Sequence, residues 1–146
     1  MEKLNVICVD DQREVLSAVI QDLEPLSSWL NIEDCESGEE VLDLIEDLDA
    51  DGESIAVIVS DHVMPGMTGV ELLTELSRDS RFKETKKVLL TGQATHSDTI
   101  TAINTAGVSH YFEKLGRLKS WSVVCALWSR RIFLIVASTI SRIMKS

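Results

Sequence analysis

The stretch that most limits the fold runs from Ile55 to Gly69, Ile-Ala-Val-Ile-Val-Ser-Asp-His-Val-Met-Pro-Gly-Met-Thr-Gly. Ile55 to Val59 is an unbroken apolar run rich in β-branched residues. Such a run suits a strand buried on both faces, and a strand of that kind needs a layer of helices above and below it. Asp61 follows where the strand should emerge. Pro65, Gly66 and Gly69 then force a loop, and a helical pattern begins at Val70. An acid at the carboxyl end of a central strand stands where open α/β sheets gather their ligand chemistry. Asp61 is therefore the leading candidate for function.

A chain of 146 residues suits one compact domain, long enough for a real core. Met1-Glu-Lys leads straight into a strand pattern, so no secretory signal is expected. The longest apolar run, Ile132 to Ala137, falls far short of the roughly 20 residues of a membrane span. Cys8, Cys35 and Cys125 are odd in number and widely spaced, against both a disulfide framework and a zinc site. A reducing cytoplasm is the expected compartment, with Cys8 as a core residue. Charge is unevenly spread. Residues 1 to 114 carry eight basic against 24 acidic side chains, a net −16, while residues 115 to 146 carry six basic ones and no acid. The acidic body repels nucleic acid. Two segments are thus expected, a core over 1–114 and an atypical basic and apolar helical segment over 115–146.

Along the chain, Leu4 to Val9 is a first strand ending in Asp10-Asp11, and Leu16, Val19, Ile20 and Leu23 mark a helix. Trp29 to Cys35 reads as a more polar edge strand. Ser37 with Glu40 starts a second helix, whose inward stripe is Val41, Leu44, Ile45 and Leu48. After the central strand, Gly69, Leu72, Leu73 and Leu76 mark a third helix. Val88 to Leu90 is a fourth strand ending in Thr91. His96 to Ala106 is a modest helix with Ile100 and Ile103 inward, and Ser109 to Phe112 is a fifth strand ending in Glu113-Lys114. Five strands alternating with helices predict a parallel sheet.

In such a sheet all carboxyl ends share one edge, and four of the five endings carry reactive groups: Asp10 and Asp11, Asp61, Thr91 and Lys114. Clustered carboxylates repel one another, and a hard divalent cation with a taste for oxygen, commonly Mg2+, relieves that repulsion. An ionised Asp61 is then a nucleophile for phosphorus. A lysine and a hydroxyl neutralise the phosphoryl oxygens, which suits Lys114 and Thr91.

These segments together resemble the receiver domain of two-component response regulators, of the chemotaxis-regulator type. The likeness covers roughly residues 3 to 114 and rests on Val9-Asp-Asp11, the Val59 to Gly69 stretch, Leu89-Leu-Thr-Gly92 and Tyr111-Phe-Glu-Lys114. It implies an α/β, flavodoxin-like, doubly wound five-stranded parallel sheet in the order 2-1-3-4-5. It implies that Asp61 accepts a phosphoryl group from a sensor histidine kinase or a phosphotransfer protein. Asp10, Asp11 and Asp61, with the backbone carbonyl of Val63, would hold Mg2+. Thr91 and Lys114 would hold the phosphoryl oxygens, Tyr111 would be the switch aromatic, and Val63 and Gln93 would tune hydrolysis. The output would be a contact with a downstream protein, from a signalling switch rather than a turnover enzyme.

The bland readings are simple. An Asp-Asp pair alone is a helix cap, Thr91 a turn residue, Lys114 a surface lysine and Tyr111 a half-buried strand residue. His62 is expected to face solvent, and His96 and His110 to be structural or exposed. The chain departs from the family pattern after Lys114. Leu115 stands where the family usually has a proline in a cis bond, and a cis bond before another residue costs about 2.5–4 kcal/mol, so a trans bond is expected. The apolar tail replaces the usual last helix. Two compatible readings are a frame-shifted ending and a genuine helix that forms a homodimer through its apolar excess. Competing functions are a receiver-like interaction module that no longer accepts phosphate, and a Mg2+-dependent phosphatase with an aspartyl nucleophile.

Overall fold

The computed structural model describes residues 4–62, 64–91, 100, 104–113 and 133–142. Five strands, β1 (Leu4–Val9), β2 (Leu30–Cys35), β3 (Ser54–Asp61), β4 (Lys86–Thr91) and β5 (His110–Glu113), form one sheet in the order β2-β1-β3-β4-β5. Every neighbouring pair is parallel. The expected order and direction are thus observed, and β2 is an edge. The helices α1 (Arg13–Leu23), α2 (Gly38–Ala50) and α3 (Gly69–Ser77) follow β1, β2 and β3, and helical backbone recurs at 104–106 and over 133–142. No described helix is long and apolar enough to cross a membrane.

The central strand is longer than its apolar run. It includes Ser60 and Asp61, so the acid is the last strand residue rather than the first loop residue. Alternation along the strands splits the core in two. On one face Val6, Cys8, Val59 and Leu90 pack against Leu16, Val19 and Leu23 of α1. On the other, Ile7, Val9, Ile58 and Leu89 pack against Val41, Ile45 and Leu48 of α2 and Leu72, Leu73 and Leu76 of α3. Each fully buried aliphatic side chain contributes about 1.5–3 kcal/mol. Cys8 and Cys35 are buried and free, and burial pushes both thiols up to about 12. They are inert core residues at neutral pH.

Helix ends follow local chemistry. Ser37 caps α2 by accepting from the Glu40 N–H at 3.2 Å, while the Glu40 carboxylate reaches back to the Glu36 N–H at 3.0 Å. The helix runs to Ala50, further than its apolar stripe, because Gly52 at φ +75° lets the chain close on it. The Glu53 N–H then bonds the Leu48 carbonyl at 2.9 Å and the Gly52 N–H that of Asp49 at 3.0 Å. Two side chains differ from expectation. Ile100 is 44% exposed rather than inward, and Ile103 lies outside the described residues. Trp29 sits in the turn before β2, also exposed.

The segment over 133–142 is helical, and Val136 and Ile140 are buried in the same cluster as β1, β3 and α1. Leu134 points outward, 66% exposed. Part of the apolar excess of the tail is therefore covered within the chain. Residues 114–132 lie outside the described residues.

Candidate metal centre

Parallel pairing sets the site. Val9 of β1 is level with Ser60 of β3, so the next residues, Asp10 and Asp61, emerge side by side at the carboxyl edge. The Asp10 N–H extends the ladder with β2 by one bond, to the Cys35 carbonyl at 3.1 Å. One Asp10 oxygen, Oδ1, accepts from the Gln12 N–H at 2.8 Å, which turns the chain into α1. Gln12, not an acid, is the residue before that helix. Asp61 is held equally firmly. The His62 N–H bonds the Leu90 carbonyl at 2.9 Å, and the Ser60 hydroxyl donates to the Asp61 carbonyl at 2.9 Å.

Asp10 and Asp61 are almost wholly buried, and Asp11 is exposed. One oxygen from each of the three lies within 4.8 Å of the others. Buried like charges at this spacing repel strongly in a low dielectric. All three donors are hard oxygens, the set that Mg2+ and Ca2+ prefer and that thiophilic metals do not. Around an octahedral Mg2+ neighbouring ligand oxygens stand about 3.0 Å apart and opposite ones about 4.2 Å, so the three side chains draw closer together to share one ion. The residues present thus fit a hard divalent cation.

Thr91 closes β4 and Tyr111 lies in β5, both described through their backbone. The register sets Asp61 level with Leu90, and Thr91 level with Glu113. Thr91 therefore follows one residue above Asp61 at the same edge. Val63, Gln93, His96 and Lys114 lie outside the described residues. His110 is exposed, as expected. His62 is not solvent-facing. It is half-buried, and its Nδ1 is buried with no hydrogen-bond partner among the described residues.

The sequence reading missed three supports of the site. Thr68 caps α3, accepting from the Glu71 N–H at 3.2 Å while donating to the Glu71 carboxylate at 3.2 Å. The Thr-x-x-Glu spacing was the available signal. Gly69 is the first residue of α3, and its N–H bonds the His62 carbonyl at 2.9 Å. Arg13, the first residue of α1, is tied to the end of β2 and the loop after it by pairing with Asp34 at 2.8 Å and Glu36 at 3.5 Å. No short motif announces that pairing.

An acidic cluster at the carboxyl edge of a 2-1-3-4-5 parallel sheet is the arrangement of a receiver. Residues 6–120 match the response regulator receiver domain, and the chain belongs to that family. It is 32% identical over 111 residues to the chemotaxis protein CheY1 of Helicobacter pylori, covering 76% of this chain and 85% of that one. It is 28% identical over 114 residues to the chemotaxis protein CheY of Pseudomonas aeruginosa, covering 76% and 84%. Among solved structures, the chemotaxis response regulator CheY4 of Vibrio cholerae shares the fold with a TM-score of 0.65 at 23% identity, over 89% of this chain and 98% of that one. The family consists of signalling proteins that work with histidine kinases and downstream targets, rather than classical enzymes.

Proposed function

We propose that the chain is a phosphoacceptor receiver in which Asp61 takes a phosphoryl group from a sensor histidine kinase or a phosphotransfer protein. The convergence of Asp10, Asp11 and Asp61 oxygens within 4.8 Å carries this reading. Mg2+ is the proposed ion, with the Val63 carbonyl as a fourth protein ligand. When bound, it screens the carboxylates from one another and neutralises charge on the phosphoryl oxygens. An Asp61 oxygen attacks phosphorus as the donor's bond to phosphorus breaks, leaving an acyl phosphate on Asp61 and the electron pair on the donor. Thr91 and Lys114 bind the phosphoryl oxygens. Tyr111 couples that state to a contact with a downstream protein. Residues 1–114 carry this chemistry, and residues 115–146 are the proposed element for association between copies.

Incubation with acetyl phosphate and Mg2+ tests the reading. A mass gain of roughly 80 Da, absent in Asp61→Asn, is expected. A wild-type chain that gains no mass would make it a receiver-like interaction module instead.

A further inference from the structure

Arg13 opens α1, two residues past Asp11. Its side chain is 67% exposed, and its partners Asp34 and Glu36 are 37% and 62% exposed. Ion pairs this exposed hold a side chain weakly, so the guanidinium is free to answer other charges. Among the described residues of 10–16, 34–41 and 60–72, which frame the acidic cluster, Arg13 is the only lysine or arginine. In the strand order, β2 and β3 flank β1. Across β1, Asp34 is level with Val59, two residues short of Asp61, so at ordinary strand geometry it stands roughly 12 Å from Asp61. That is slightly more than one Debye length at 0.1 M salt and well within the roughly 30 Å of 0.01 M salt, so at low salt the charge of Arg13 is felt at the site without contact.

We propose that Arg13 is an electrostatic gate for the phosphoryl donor. Loosely anchored to Asp34 and Glu36 on one side of the acidic cluster, it attracts the anionic phosphoryl group and opposes the entry of cations. It is a positioning residue, and the inference rests on Asp61 being the phosphoacceptor. Three clustered carboxylates would otherwise repel a phosphate dianion until the cation is in place, and a cation beside them lowers that barrier at the entrance.

The charge argument gives an unusual signature. Loss of Arg13 should strengthen Mg2+ binding, because a repelling charge is gone and two acids are freed. The same loss should weaken use of the donor. A merely structural clamp between two loops would weaken both.

The test uses the full chain as wild type, Arg13→Ala and Arg13→Lys. Calorimetry measures binding of Mg2+ alone, and mass spectrometry follows the rate against acetyl phosphate concentration. Arg13→Ala is expected to bind Mg2+ roughly twofold to fivefold more tightly and to need roughly twofold to fivefold more acetyl phosphate for half-maximal rate. Its limiting rate should be unchanged, both differences should close at about 0.5 M salt, and Arg13→Lys should stay near wild type. Equal weakening of both affinities, or no change in either, overturns the proposal. A wild type that gains no phosphoryl group overturns the Asp61 reading instead, and the Mg2+ titration then still decides the electrostatic role of Arg13.

Discussion

Gly69 lies so close to Asp61 that a Cβ on it would run into the Asp61 carbonyl oxygen and stand 2.9 Å from the His62 Cα. Both obstacles are backbone, which cannot rotate aside. The first turn of α3 is thereby pressed against the strand end that carries the central acid. Gly69→Ala should destabilise the fold by about 1–3 kcal/mol, the usual penalty of overpacking. It should also weaken Mg2+ binding, because Asp61 has to move. Urea unfolding and calorimetric Mg2+ titration check the two halves. Unchanged values in both would mean that the loop from His62 to Thr68 yields without disturbing the site.

Buried Asp10 and Asp61 repel each other and the exposed Asp11 in the absence of a cation. Asp61→Asn and Asp10→Asn remove part of that repulsion, so each should raise the thermal midpoint of the metal-free protein. Wild type should gain stability with Mg2+, by about 2.7 kcal/mol at a concentration one hundred times the dissociation constant. Chelation should abolish the gain, and both variants should lack most of it. A melting series across Mg2+ concentrations reads this directly. An Asp61→Asn chain that still responds fully to Mg2+ would place the ion elsewhere.

At the other end of α2, Arg81 pairs with Glu46 at 2.8 Å, Asp49 at 2.8 Å and Asp79 at 2.7 Å. Its hydrogen bonds hold the Glu46 and Asp79 carboxyls below their ordinary values of 4.5 and 3.8. A carboxyl lowered in the folded state contributes stability above its unfolded pKa and loses it as pH falls through the folded value. The advantage of wild type over Arg81→Ala should therefore be constant above about pH 5 and vanish progressively below it. Denaturant midpoints from pH 7 down to pH 2 test the sign. A gap that widens on acidification would contradict it.

How much of this was visible in the sequence depended on whether the signal was local. The strand runs Leu4 to Val9 and Ile55 to Val59 have no competing reading, and an acid follows each within two residues. The parallel sheet and the Asp10, Asp11 and Asp61 cluster were therefore legible, while the strand order came from the resemblance to receiver domains. Ile100 misled because an apolar residue at helical spacing reads as inward, yet it is exposed. Arg13 was silent because its partners are 21 and 23 residues away. The terminal helix was expected, but its burial was illegible for a related reason. Val136 and Ile140 belong to the core only once α1 and the sheet exist to receive them.

Thr68 shows what a short polar residue adds next to the site. The Pro65 to Gly69 stretch reads as a loop, and Thr68 is its last residue before α3. Thr68→Ala removes the acceptor for the Glu71 N–H and should cost about 0.5–2 kcal/mol. Thr68→Asp, which keeps an acceptor and favours the helix N-terminus, should restore most of that. Chemical denaturation of the pair decides it. Equal loss in both variants would implicate the threonine methyl rather than the cap.

The terminal helix separates two roles of the tail. Val136 and Ile140 are buried against the core shared by β1, β3 and α1, whereas Leu134 is 66% exposed. Ile140→Ala should therefore cost about 2–5 kcal/mol, as large-to-small changes in a packed core do. Leu134→Ser should change stability by no more than about 0.5 kcal/mol. This asymmetry also shapes the test of association through residues 115–146. A chain cut after Leu118 loses Val136 and Ile140 together with any partner surface, so its instability would mask a change in assembly. Leu134→Ser in the full chain leaves the core intact and removes an exposed apolar side chain. Light scattering should then find wild type dimeric and Leu134→Ser shifted toward monomer. A wild type that is monomeric at high concentration would assign the apolar residues of this helix to its own core alone.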